Sequence, residues 1–180
     1  LDIHSTEAPS DPMIIEIKGA SLDAAKGQPI QKVLTNIVPV QIGIPVGSLY
    51  GGLERSIPVF EIEAGSHEDP ESFQLAVRSA IAFLMRLRMI PVTENVSAPV
   101  LQEYPIVDSI VFPNASYRLV KPFAMFERIT RGQVIAEGDG PIMTAPCDGH
   151  AIFAPKGVIP RSIKEEVMFI SSPMKEKNEM

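Results

Sequence analysis

The sequence lacks several features that would each define a class of protein. It has a single cysteine, Cys147, which excludes an internal disulfide and suits a reducing cytoplasm. No apolar run approaches the roughly 20 residues that span a bilayer, and no signal peptide is visible. The net charge is −6, which argues against nucleic-acid binding because phosphates require a basic face. No internal repeat or low-complexity tract is present.

What remains is an ordinary globular composition. The chain has 180 residues, of which 45% are hydrophobic and 21% charged. This length suits one domain, or part of a domain followed by a small second one. The sequence starts inside an apparent strand, Leu1-Asp2-Ile3-His4, without a Met. We therefore expect that sequence upstream of Leu1 is missing.

The most informative stretch is residues 57–65, a strand of apolar and branched residues that runs into a glycine turn. Glu63 lies at its end, and residues 66–71 then open a helix. A strand followed by a helix is the unit of α/β folds, which place ligands at the carboxyl ends of their strands. Glu63 is thus well placed for acid–base chemistry, although a solvated glutamate at a strand end is the commoner case.

The helix after Glu63 has clear boundary signals. Asp69 is a good N-cap, Pro70 fits the first helical position, and the helix should stop before Pro91. Apolar residues recur at three- and four-residue steps and form one apolar stripe: Phe73, Val77, Ala80, Ile81, Leu84 and Leu87.

The pattern changes after Val92. Residues 93–99 read as a linker, and short apolar runs separated by Gly, Pro and Asp follow. These runs predict a small all-β unit, a barrel or a sandwich. Parts of it resemble half of a lipoyl- or biotinyl-type barrel, but the one Met-Lys pair, Met174-Lys175, lies in a charged tail. A carrier role is therefore not favoured.

Histidine and cysteine provide few further candidates. In Asp2-Ile3-His4 an imidazole and a carboxylate lie on one side of a strand end, because side chains alternate. A zinc-binding histidine commonly donates its other N–H to a carboxylate, but spacing leaves open whether Asp2 does this or supports the turn. His67 and His150 stand beside turn residues and are read as solvated. Cys147 has no identifiable base partner and is read as a bystander.

Taken together, these segments resemble the succinylglutamate desuccinylase/aspartoacylase family, part of the wider zinc carboxypeptidase group. The resemblance rests on Asp2-Ile3-His4-Ser5, on Phe60-Glu61-Ile62-Glu63-Ala64-Gly65, and on Ala145-Pro146-Cys147-Asp148-Gly149 after the helix. It covers essentially the whole chain. It implies part of a mixed zinc-carboxypeptidase-like sheet with helices over residues 1–95, and a small β-rich domain over residues 96–180.

The resemblance also implies roles for individual residues. His4 matches the third zinc ligand of the family, and Glu63 matches its catalytic acid/base. Arg55 is the one arginine shortly before Glu63 and is nominated to bind the substrate carboxylate. The implied reaction is zinc-dependent hydrolysis of an amide bond in a small N-acyl amino acid, with water activated by Glu63.

One departure from the family is serious. The first two zinc ligands of the family come from a His-x-x-Glu motif upstream of the Asp-x-His segment, and the given residues contain no such motif before Asp2. A cytoplasmic zinc amidohydrolase represented by its C-terminal part is thus one reading. A non-catalytic binding or assembly module that kept the fold without a complete metal site is the other. The edges of an incomplete sheet would also invite pairing with a second copy of the chain.

Overall fold

A computed structural model describes residues 1–6, 9–17, 25, 27–37, 60–92, 99–153, 166–173 and 175–176. The chain divides into two compact units. The first comprises Leu1–Ile37, Pro45–Glu103 and Lys175–Met180, and the second comprises Val38–Ile44 and Tyr104–Met174. In the described ranges, no helix combines the length and apolar character that a membrane crossing requires.

The first unit is a mixed sheet with a helix packed on it. Its described elements are β1 (Asp2–Thr6), β2 (Met13–Ile17), β3 (Lys32–Ile37), β4 (Phe60–Ser66), α1 (Pro70–Arg86) and the start of β5 (Gln102–Val111). The first four strands lie in the order β1-β4-β2-β3. The pairs β1–β4 and β2–β3 are parallel, whereas β2 and β4 are antiparallel.

The apolar core of this unit lies between the sheet and α1. Ile62 and Ala64 alternate with Glu61 and Glu63 along β4, so the two pairs point to opposite faces. Ile62 and Ala64 pack in one buried cluster with Leu75 of α1. The glutamates are therefore on the face of the sheet opposite to the helix.

The helix begins as the sequence predicts. The Asp69 side chain accepts a hydrogen bond from the backbone N–H of Glu71 at 2.9 Å, and Pro70 occupies the first turn. α1 ends at Arg86, a few residues before Pro91. Arg88 has a left-handed backbone (φ 57°), a conformation that stops the helix.

The apolar stripe of α1 is not its buried face. Phe73 is 68% exposed, and Val77, Ile81 and Leu87 are exposed as well. The face that packs on the sheet carries Ser72, Leu75 and Ser79 instead. Two of these side chains are small, and the partly buried Phe83 packs against the same core cluster as Leu75. The amphipathic pattern thus identified the helix but not its core-facing side.

This orientation predicts a contrast in stability. Leu75→Ala is expected to lower the free energy of unfolding by about 2–3 kcal/mol, because it leaves a cavity in the core. Val77→Ala, on the exposed stripe of the same helix, should change it by less than about 0.5 kcal/mol. Urea unfolding of both variants measures the difference. Equal losses, or a larger loss for Val77→Ala, would contradict the described orientation.

The described elements of the second unit are strands: the rest of β5, then β6 (Arg118–Leu119), β7 (Glu127–Ile129), β8 (Val134–Glu137), β9 (Met143–Thr144), β10 (Gly149–Ile152) and β11 (Glu166–Ser171). A last short strand, β12 (Lys175–Glu176), pairs with the start of β5 in the first unit. The strands β5-β11-β10-β7 pair in this order, all antiparallel, and β6-β8-β9 form a separate small sheet.

Two residues of the second unit test predictions made from sequence. Cys147 is partly buried and packs on the apolar core of this unit, with no described contact that would activate it. His150 was expected at a solvated loop position, and this is wrong. It lies in β10 with its ring edge-on to Tyr104, at 5.2 Å between ring centroids. The Asp148-Gly149 pair is typical of a turn, and for this reason the strand that begins at Gly149 was not predicted.

Candidate metal and acid–base site

The pairing of β1 with β4 brings together residues that are far apart in the sequence. Asp2 lies opposite Glu61, and His4 lies opposite Glu63. Because neighbouring residues across a parallel pair point to the same face, all four polar side chains share one face. One imidazole and three carboxylates therefore meet on one face of two adjacent parallel strands. Glu63 was predicted at a strand end, but β4 continues past it to Ser66, and β1 continues past His4 to Thr6.

Three of these side chains form a compact donor set. His4 Nε2 lies 3.0 Å from Asp2 Oδ1, an ion-pair distance, with the His4 side chain 49% exposed. One potential ligand atom from each of Asp2, His4 and Glu61 lies within 4.8 Å of the other two. Imidazole nitrogen and carboxylate oxygen are both common zinc ligands.

The two glutamates are unusual because Glu61 is buried and Glu63 is partly buried. The pKa of Glu63 is raised to about 7. The largest cause is burial of the side chain, and the second is the nearby charge of Glu61. Burial also raises the pKa of Glu61, with His4 acting in the opposite direction. A hydrogen bond joins the two side chains, and Glu63 Oε2 is buried without a hydrogen-bond partner. The pKa of Glu63 therefore lies near neutral pH, so both its protonated and its ionised form are accessible there.

The imidazole responds to the same charges. Burial by itself would lower the pKa of His4, but the charge of Glu61 and the hydrogen bond to Asp2 outweigh that effect. The pKa of His4 is consequently raised above 6.5. A cluster of carboxylates around a histidine favours a cation, whether that cation is a proton or a metal ion.

The shifted pKa of Glu63 predicts how stability depends on pH in the metal-free protein. The folded chain keeps the proton up to about pH 7, whereas the carboxyl in the unfolded chain loses it near 4.5. Between these values the unfolded state binds fewer protons, so stability falls as the pH rises. We expect a loss of about 2 kcal/mol after allowance for partial solvent exposure.

Urea unfolding with a chelator present, at about pH 5 and about pH 8, measures this loss. Glu63→Gln removes the titrating group and should show a smaller decrease over the same range. The raised pKa of Glu63 would be contradicted if the wild-type protein lost no more stability between these two pH values than Glu63→Gln does.

The opposite face of the same strands forms a groove of about 530 Å³ against the start of α1. Ile3, Ala64 and Phe73 give it apolar walls. Ser5 and His67 line it as well, and Ser5 Oγ lies 2.7 Å from His67 Nδ1. His67 was predicted beside a turn, and the structure confirms this: it is exposed, lies in the turn and forms hydrogen bonds with β1.

Of the three residues nominated from sequence, His4 and Glu63 lie directly opposite each other. Arg55 lies outside the described residues. Sequence reasoning missed Glu61 as a member of the site. The alternation Glu61-Ile62-Glu63 was the available signal, because it places two carboxylates on one face of a strand.

The arrangement identifies the chain as an α/β protein with a mixed sheet. Two adjacent parallel strands of this sheet carry a histidine and three carboxylates on one face. No protein-family model and no curated protein sequence matches the chain. Solved structures do match it. Their fold is that of the succinylglutamate desuccinylase/aspartoacylase family, so the resemblance drawn from the sequence is confirmed at the level of the fold.

Three of these structures illustrate the similarity. Succinylglutamate desuccinylase from Vibrio parahaemolyticus has a TM-score of 0.72 at 15% identity, over 98% of this chain and 56% of its own. The enzyme from Vibrio cholerae has a TM-score of 0.71 at 13% identity, over 96% and 52%. The ectoine utilization protein EutE (DoeB) from Ruegeria pomeroyi has 0.65 at 11%, over 95% and 57%. The chain thus spans about half the length of these structures.

Proposed function

We propose that the protein is a zinc-dependent hydrolase that cleaves the amide bond of a small N-acyl amino acid, with Glu63 as its acid/base. The observation that carries the proposal is the position of Glu63 directly opposite His4 across β1 and β4, beside the cluster of Asp2, His4 and Glu61. Desuccinylases share the fold, and their name describes this kind of reaction.

The residues of the site suit a zinc ion. Asp2, His4 and Glu61 would hold it, since they offer one nitrogen and two carboxylate oxygens within a small space. The partnerless Glu63 Oε2 and the buried pair of carboxylates would both gain from a nearby cation. Zinc bound there would polarise the substrate carbonyl and acidify a water molecule.

The side chains of the chain itself handle the proton. A group with a pKa near 7 can both accept and donate a proton at neutral pH, as a general acid/base requires. Glu63 would take the proton of the attacking water and later give it to the leaving amine. In the metal-free chain, Asp2 holds the His4 ring through the contact at 3.0 Å. The products would be a carboxylate and a free amino acid.

Release of free amine from a panel of N-acyl amino acids tests the proposal. The panel contains N-succinyl and N-acetyl derivatives of glutamate and aspartate, each assayed with the zinc-loaded and the chelator-treated protein. We expect zinc-dependent release from at least one of them. Zinc binding without release from any substrate would contradict the hydrolase assignment.

A non-catalytic binding or assembly module is the second candidate function. The exposed apolar side chains of α1, Phe73, Val77 and Ile81, favour it, because such a stripe is typical of an interaction surface. Weak or absent zinc binding combined with a complete lack of hydrolysis would support this candidate, a module without a complete metal site.

Three further assignments from the sequence remain proposals. Residues 1–95 would be part of the catalytic domain, and residues 96–180 a small β barrel or sandwich. Arg55 would bind the carboxylate of the substrate. The protein would act in the cytoplasm, as its single cysteine suggests.

A further inference from the structure

The pairing of β1 and β4 becomes irregular immediately after the site. The register is regular through His4 opposite Glu63, but the next pair is Thr6 opposite Ser66. Between these two pairs β4 advances by three residues and β1 by two, which is a β-bulge. Gly65 lies in this bulge with φ at 110°, and a Cβ on it would come within 2.7 Å of Ser72 Oγ. The bulge is thus confined by close packing.

A set of hydrogen bonds ties the end of β1 to the turn that follows the bulge. The His67 backbone N–H donates to the Thr6 carbonyl at 2.8 Å. The Thr6 hydroxyl donates to the Gly65 carbonyl at 3.3 Å. Ser5 Oγ and His67 Nδ1 are 2.7 Å apart. We refer to Ser5, Thr6 and His67 as the β1 clamp.

We propose that the Ser5–His67 pair positions His4 against Glu63. Ser5 follows His4 directly, and alternation points the two side chains to opposite faces of β1. Holding Ser5 on the groove side thereby fixes the rotation of the strand and keeps the imidazole on the carboxylate side. Ser5 and His67 are positioning residues, since neither belongs to the cluster of Asp2, His4 and Glu61. The inference deepens the proposed function and rests on it for its catalytic meaning.

Substitutions of His67 isolate the role of its Nδ1 atom. His67→Ala removes the hydrogen bond to Ser5. His67→Asn restores it, because the asparagine amide reaches the position of Nδ1. His67→Gln is the matched control, because its amide reaches the position of Nε2 instead. Ser5→Ala removes the same bond from the other side.

Two readouts report on His4 without an activity assay. One is the imidazole NMR spectrum, which contains signals from three histidines. The other is zinc affinity measured by competition with a chelator. In Ser5→Ala, His67→Ala and His67→Gln we expect the His4 signals to shift and zinc affinity to fall about 10-fold. In His67→Asn both should return to the wild-type values.

A serine in the second unit controls for general loss of a turn hydrogen bond. Ser116 Oγ accepts from the Asp139 backbone N–H at 2.8 Å and donates to Asn114 Oδ1 at 2.6 Å. Ser116→Ala should leave the His4 signals unmoved. Unchanged His4 signals in His67→Ala, or no rescue by His67→Asn, would overturn the positioning role. Absence of zinc binding in the wild-type protein would instead contradict the proposed function, while the His4 signals would still decide the role of the clamp.

Discussion

Replacement of Glu63 by Gln is expected to reduce kcat for an N-acyl amino acid by about 10³-fold, while zinc remains bound. The amide has the shape of the carboxyl group but can neither accept nor release the proton that amide hydrolysis moves. Glu63 is not one of the three potential ligands, Asp2, His4 and Glu61, so metal binding should survive the change. Steady-state kinetics together with metal analysis of the same sample measure both effects.

Glu137→Gln is the matched control for this prediction. Glu137 is an exposed glutamate at the end of β8, so its substitution should leave both kcat and zinc content unchanged. Near-normal turnover in Glu63→Gln would remove Glu63 from the mechanism. Loss of zinc in Glu63→Gln would instead make Glu63 a ligand, and Glu61 would then be the next candidate for the base.

His4→Ala is expected to weaken zinc binding by more than about 100-fold, and activity should disappear with the metal. His4 supplies the one nitrogen donor in the cluster, and its removal leaves two carboxylates that bind zinc less selectively. Chelator competition measures the affinity, and urea unfolding shows whether the variant is folded. The half-exposed position of His4 suggests that stability will change little.

His150→Ala controls for the loss of a histidine as such. His150 lies in the second unit against Tyr104, so its loss should disturb packing there but leave zinc affinity at the wild-type value. Full zinc occupancy in His4→Ala would exclude His4 as a ligand and would contradict the proposed site.

Local signals predicted the elements that carry the site. The apolar, branched residues before Gly65 gave β4, and Asp69 with Pro70 marked the first residue of α1. Both signals act within a few residues, so no knowledge of the rest of the fold is needed. His4 and Glu63 were correctly assigned to these strands but not to their ends, because both strands continue for two or three residues beyond them. The order of the two residues along the chain pointed to the fold.

The partners of each strand were not predictable in this way. That Asp2 lies opposite Glu61 depends on the register between β1 and β4, which no local pattern encodes. A shift of one residue would turn Glu61 and Glu63 to the other face. Glu61 was therefore missed although its sequence position was plain. The prediction of the core-facing side of α1 was wrong for a related reason. Which side is buried depends on the surface that the helix packs against and not on the apolar stripe itself.

The parallel pairing of β1 with β4 also has a consequence for the order of folding. Its two strands are separated by the chain between positions 4 and 63, and closing a loop of that length costs about 3–4 kcal/mol of chain entropy. α1 needs only contacts between near neighbours and can form early, whereas the imidazole and the carboxylates meet only after the long-range pairing is complete. Under the proposed function, zinc capture during refolding should accordingly lag behind the helical signal, and zinc binding would then report the last step of folding rather than the first.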